Sequence, residues 1–207
     1  MSAAQKTIKI YGQGSPKAEQ IAILLAELSL PYEFAQSVTA DQKSGIHDPN
    51  TDIKLLQPAA ILEYIVSNYD KDHRIIFRRR TPEFWHAKDW LAFETTIHAP
   101  LCEQLQKFKS LSSEKSSTVV QHYAADLKSV TSNLEDRLSK QKEHHPEKGP
   151  WLVGDKLSFV DLSFLAWQQS VSLAAKDDYD VAMYPLVKAW LDKLYSQASV
   201  KEVLKRS

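Results

Sequence analysis

The chain has 207 residues, 43% hydrophobic and 10% aromatic, enough for a sizeable buried core and unlike a disordered or low-complexity segment. Its 26 Lys and Arg balance 26 Asp and Glu, so nothing draws it generally to nucleic acid or to an anionic membrane. Cys102 is the single cysteine, which excludes an internal disulfide and dithiol chemistry, and no window approaches the roughly eighteen apolar residues of a membrane span. The first seven residues are polar and lack the apolar stretch of a secretory signal. A reducing compartment, the cytoplasm, is the expected location.

In chain order, Thr7-Ile-Lys-Ile-Tyr11 alternates as a short strand. Gly12-Gln-Gly-Ser-Pro16 then turns into a helix with Ser15 at its Ncap, Pro16 at its first position, and an apolar stripe of Ile21, Leu24, Leu25 and Leu28. Leu30 to Phe34 restarts an extended segment. The chain is polar from Thr39 to Asp52, with Pro49 in a turn-forming Asp48-Pro-Asn-Thr51. Ile53 to Leu56 reads as a strand and Pro58 to Val66 as a helix. This alternation predicts a small α/β domain over residues 1–72.

A charged connector over residues 73–81 carries Arg78-Arg79-Arg80, read as a solvated run. No strand pattern follows, so residues 82–207 are expected to be all-helical. A long helix opens at Thr81-Pro82-Glu83, with Trp90, Phe93, Ile97, Leu101, Leu105 and Phe108 on one stripe. A second begins near Ser113, its stripe running through Val120, Tyr123, Leu127, Val130, Leu134 and Leu138. A polar loop is expected from Lys140 to Pro150, and a last amphipathic helix from Tyr184 to Tyr195. Between them, Ser158 and Asp161 stand in the relation of a capping box. There the Ser hydroxyl accepts the N3 amide and the N3 carboxylate accepts the Ncap amide.

The segment Trp151-Leu-Val-Gly-Asp-Lys-Leu-Ser-Phe-Val-Asp-Leu-Ser-Phe164 resembles the C-terminal core helix of the glutathione transferase superfamily. Ile8 to Tyr11, Ala22 to Leu28 and Leu30 to Phe34 resemble that family's first strand, helix and strand. Ala60 to Ile65, followed by Tyr69-Asp-Lys-Asp72, is similar to its third helix and exit. Glu83-Phe-Trp85 and Trp90-Leu-Ala-Phe93 resemble the fungal branch related to the nitrogen-catabolite regulators. The resemblance spans almost the whole chain. It implies a thioredoxin-like α/β N-terminal domain followed by an all-α C-terminal domain, and a homodimer.

The resemblance also implies glutathione as cofactor and a hydrophobic electrophile as substrate. Either the thiol is conjugated, or its thiolate adds and leaves again to isomerise an olefin, and the setting that the resemblance implies is fungal secondary metabolism. A hydroxyl at a helix N-terminus favours the thiolate, and Ser15 has that position. Tyr11 is the alternative hydroxyl. The family's Glu/Gln-Ser before the third helix is here Gln57-Pro58, which keeps the carboxamide but loses a hydroxyl and an N–H. The family's longer segment before the third strand, with its cis-proline, is missing. Lys43 and His47 are candidates to replace its contacts. Trp85 and Lys88, one turn apart, are candidates to line the electrophile pocket. His98, His144 and His145 lack further ligands at a metal-site spacing, so no metal is expected. The competing reading is a non-catalytic binding or regulatory protein on the same fold.

Overall fold

The computed structural model describes residues 5–36, 44–111, 114–174 and 179–206, without the side chains of 114–117 and 173–174. The chain divides into two compact units, Met1–Ile76 with Tyr195–Ser207, and Phe77–Leu194.

In the first unit, β1 (Ile8–Tyr11) buries Ile8 and Ile10, leads through a glycine turn to α1 (Pro16–Glu27), and returns as β2 (Tyr32–Ala35) parallel to β1. The helix closes at Ser29, which takes a left-handed backbone so that the amides of Ser29 and Leu30 reach the Ala26 and Leu25 carbonyls. A strand that the polar composition of residues 39–52 does not announce, β3 (Gly45–Asp48), pairs antiparallel with both β1 and β4 (Ile53–Leu55). The sheet order is β2-β1-β3-β4. The strand forms because two neighbours offer it backbone partners, while Ile46 alone supplies a large apolar side chain. Gly45 is required there: at a φ of +139° any Cβ would run into the Leu55 carbonyl oxygen.

Asp48, at the end of β3, is fully buried and accepts the hydroxyls of Tyr64 (2.6 Å) and Tyr69, and the Asn50 amide at 2.8 Å. Both tyrosines belong to α2 (Pro58–Tyr69), so this carboxylate ties the β3–β4 hairpin to that helix. Asn50 bonds back to the Lys6 backbone through both ends of its carboxamide (2.8 and 3.0 Å). Beyond α2, Asp70 gathers the amides of Arg74, Ile75 and Ile76, each at 2.8 Å. The C-terminal helix α8 (Ala198–Leu204) packs on α1, where the Ser199 hydroxyl donates to Glu27 at 2.5 Å.

In the second unit, α3 (Pro82–Phe93) and α4 (Ala99–Lys109) are one run of helix joined by a π turn, Glu94–His98. Pro100 has no N–H to offer Thr96, and the Ala99 amide reaches back five residues to the Glu94 carbonyl. The buried line runs through Ala87, Leu91, Glu94, His98, Cys102 and Leu105, not through the expected stripe. Of that stripe Leu105 is fully buried, Trp90 and Phe93 flank the line, and Ile97 is 42% exposed. A hydrophobicity pattern cannot see that Glu94 and His98 face inward. His98 is turned in because the Gln168 carboxamide reaches its Nε2 at 3.0 Å.

Among the described residues the unit continues with α5 (Glu114–His144), α6 (Phe159–Ala174), a single 3-10 turn Val181–Met183, and α7 (Pro185–Ser196). The helix α5 continues to His144, through residues expected to form a loop. Its Arg137 and Gln141 side chains bind the carbonyls of Leu152 (2.8 Å) and Gly154 (3.0 Å) and so earn their helical places by holding the following loop. Glu135 accepts the Leu186 and Val187 amides at the start of α7. At the start of α6, Asp161 accepts the Ser158 amide (2.9 Å), as a capping box requires, but the Ser158 hydroxyl donates to the same carboxylate at 2.6 Å. Asp161 also accepts the Leu152 amide and the Trp190 indole. It is an organising group of the unit as well as a helix cap.

Candidate active site

Strand register brings two helix starts together. Tyr11 pairs with Gly45 and Ile46 with Leu55, so the end of β1, the start of β3 and the end of β4 share one end of the sheet. From that end the chain enters α1 through Ser15 and α2 through Gln57. Ligands in open α/β sheets collect at such strand ends, and a helix N-terminus favours an anion by its unpaired amides and its dipole.

Ser15 is part-buried. Its hydroxyl donates to the Gly12 carbonyl at 2.7 Å and accepts the Ala18 amide at 3.2 Å. Gly12 and Gly14 both have positive φ, which lets the chain turn tightly enough for that bond. To serve a thiolate, the hydroxyl must swing off Gly12 while the helix amides stay in place. Tyr11 is 8% exposed and lies in the core at the end of β1.

Gln57 is exposed and its side chain makes no cap bond. Pro58 supplies the helical φ but no N–H, leaving the amides of Ala59 and Ala60 as the donors of the first turn. This donor set, a carboxamide and two amides at a positive helix end, fits an α-carboxylate with an adjoining ammonium. His47 lies within β3, and its Nε2 is 3.3 Å from Asp52 on the hairpin turn, at the opposite end of the sheet from Ser15 and Gln57. Lys43 lies outside the described residues.

In the second unit Trp85 is 64% exposed, with its ring edge-on to Phe84 at 5.2 Å, and the Lys88 ammonium stands 5.4 Å from the Phe84 ring centre. An exposed aromatic beside a cation suits an apolar, electron-poor partner. The inner face of the same helix carries a buried polar chain. Cys102 Sγ is 3.7 Å from His98 Nε2, and the Tyr179 hydroxyl lies between Gln168 Oε1 (3.3 Å) and Thr131 Oγ1 (3.0 Å). Burial lowers the His98 pKa to about 3, so the ring is neutral, and burial, aided by the Glu94 charge, pushes the Cys102 thiol up. Neither group is poised for acid–base or nucleophilic work. Among the described residues no three His, Cys, Asp or Glu side chains could hold a metal ion, and no helix is long and apolar enough to cross a membrane.

A small mixed sheet with two helix N-termini at one end, followed in sequence by an all-helical unit, is the thioredoxin-like plus helical architecture of the glutathione transferases. The family model described as glutathione S-transferase, C-terminal domain, matches residues 100–207, and the chain belongs to the glutathione S-transferase family. It is 36% identical to the glutathione S-transferase-like protein gedE of Aspergillus terreus, over 95% of this chain and 94% of that protein. It is 37% identical to the glutathione S-transferase-like protein tpcF of Aspergillus fumigatus, over 94% and 93%. The solved glutathione transferase homolog of Lodderomyces elongisporus, crystallised with two glutathione molecules per subunit, matches at a TM-score of 0.85 and 26% identity, covering 97% of this chain and 98% of that one.

Proposed function

We propose that the protein is a glutathione-dependent transferase acting on a hydrophobic electrophilic small molecule. The observation that carries this reading is the convergence of the Ser15 and Gln57 helix starts at one end of the sheet. Gln57 and the Ala59 and Ala60 amides hold the γ-glutamyl end of glutathione. The α1 N-terminus lowers the thiol pKa, and the Ser15 hydroxyl, released from Gly12, donates to the sulfur. Within the helical unit, the exposed Trp85 and the neighbouring Lys88 are the side chains we propose for contact with an apolar substrate. The thiolate sulfur bonds to an electron-poor carbon. If a leaving group departs or a proton is taken up, the product is a conjugate. If the new C–S bond breaks again after rotation, the product is an isomerised olefin and glutathione is regenerated. A fungal secondary metabolite is the substrate class we favour, and the active form is a homodimer.

Calorimetry with millimolar reduced glutathione tests the binding half of the proposal, and absence of both heat and a thermal shift would overturn it. If glutathione binds, Ser15→Ala should lower turnover far more than affinity. Unchanged turnover moves the donor role from Ser15 to the helix amides or to Tyr11. A second reading, a binding protein without catalysis, is favoured by the bond between Ser15 and Gly12 and by the missing N–H at Pro58. Glutathione binding with no turnover across a panel of electrophiles would select it.

A further inference from the structure

The two helices that start at the site are joined at their far ends. Glu27 is the last residue of α1 and Asp70 the C-cap of α2, and neither helix has a basic residue in its last turn. A carboxylate opposes the helix dipole at that end, so each needs a partner from outside its own helix. Arg74 serves both. Its amide donates to Asp70 at 2.8 Å, and its guanidinium stands 3.7 Å from Glu27. The other Glu27 oxygen accepts the Ser199 hydroxyl of α8 at 2.5 Å. One carboxylate, with its side chain 16% exposed, therefore ties α1 to the exit of α2 and to α8. Gln20 to Leu25 are buried without a break, so α1 is enclosed on every side and shifts only as a unit. Its 12 residues make a rod about 18 Å long, and a tilt at Glu27 is carried to Ser15.

We propose that Glu27 and Arg74 are positioning residues, which hold the α1 and α2 starts at the separation that lets one glutathione molecule reach both. The proposal rests on the glutathione reading above, with the γ-glutamyl end at Gln57 and the thiol at Ser15. A helix freed at Glu27 carries Ser15 and the α1 amides away from the sulfur, while the contacts at Gln57 stay. The signature is loss of the thiol's contribution to binding, not of binding as a whole.

Calorimetry of the full chain with glutathione and with γ-glutamyl-alanyl-glycine, which lacks the thiol, tests the proposal. The parent should bind glutathione more tightly, and the ratio of the two affinities measures the thiol contact. Glu27→Gln and Arg74→Ala should each lower that ratio about two- to fivefold and leave the affinity for the analogue unchanged. Each should also raise the pKa of the bound thiol, read from the ultraviolet absorbance of the thiolate. The double variant should lose no more than the larger single loss. Arg74→Lys, which keeps a cation beside Glu27, should restore most of the ratio. Ser199→Ala, which removes the second grip on Glu27, should lower it too and serves if Glu27→Gln fails to fold. Single variants with the parent's ratio and thiol pKa, equal losses for glutathione and analogue, or additive losses in the double variant would each overturn the proposal. So would a parent that binds glutathione no better than the analogue. A parent that binds neither peptide overturns the glutathione reading and this proposal with it, whereas tight glutathione binding beside unresponsive variants sinks the positioning role alone.

Discussion

Asp161 Oδ1 accepts the indole N–H of Trp190 at 3.0 Å, joining the first turn of α6 to the middle of α7 across 29 residues of sequence. The same carboxylate holds the Leu152 amide and both donors of Ser158, and it has no exposure to solvent. Four donors on one buried carboxylate make it a junction for a loop and two helices.

Asp161→Asn keeps the volume but turns an NH2 toward buried donors. We expect it to cost about 3 kcal/mol or more, because those donors lose their acceptor where water cannot replace it. Trp190→Phe, which removes one bond, should cost about 1 to 3 kcal/mol. Urea melts of both variants measure this, and an unchanged midpoint for Asp161→Asn would contradict it.

Stability should depend on acid through His98. Its pKa is ordinarily 6.5 and burial lowers it to about 3. Between these values the unfolded chain binds a proton that the folded chain refuses. Stability is therefore whole above pH 6.5 and falls as pH is lowered toward 3, by about 1.4 kcal/mol per pH unit from this group. Denaturant melts between pH 7 and 4 should show a shallower slope for His98→Gln than for the parent, and identical slopes would refute the assignment.

Cys102 should be silent in the native state. It has no exposure, and burial together with the Glu94 charge keeps it a thiol at neutral pH. A thiol reagent such as dithionitrobenzoate should label it only at the rate of opening, and labelling should become immediate in denaturant. Prompt native labelling would show that the helix core opens far more readily than its packing implies.

The hairpin anchor at Asp48 makes another test. Burial raises its pKa, but the tyrosine and Asn50 hydrogen bonds outweigh burial and hold it below the ordinary value. Its contribution is present above about pH 4 and lost as pH falls. Tyr64→Phe and Tyr69→Phe should each destabilise by about 1 kcal/mol, with the double variant departing from the sum because both share one acceptor. Strict additivity would mean that the two bonds do not communicate.

The helix starts were legible because their signals are local. Ser15-Pro16, Gln57-Pro58, Thr81-Pro82 and Ser158 with Asp161 are each readable within four residues. The strand Gly45–Asp48 was not, because its partners lie elsewhere in the chain and Ile46 is its one large apolar side chain. The burial of the long helix was misplaced by its aromatic residues. Its inner line includes Glu94 and His98, and His98 faces inward on a bond from Gln168, 70 residues away.

By itself, then, the sequence determined the two-part architecture, the capped helices and the candidate side chains, since periodicity, capping and proline placement act over one or two turns. Tertiary structure decided which of those side chains meet. Register places Ser15 and Gln57 at one end of the sheet and turns His47 toward Asp52, and the π turn opens a groove lined by residues read as core, Tyr123 and Val130. Asp161 shows both limits at once. Its bond to Ser158 follows from spacing alone, while its bond to Trp190 exists only because two helices distant in sequence pack side by side.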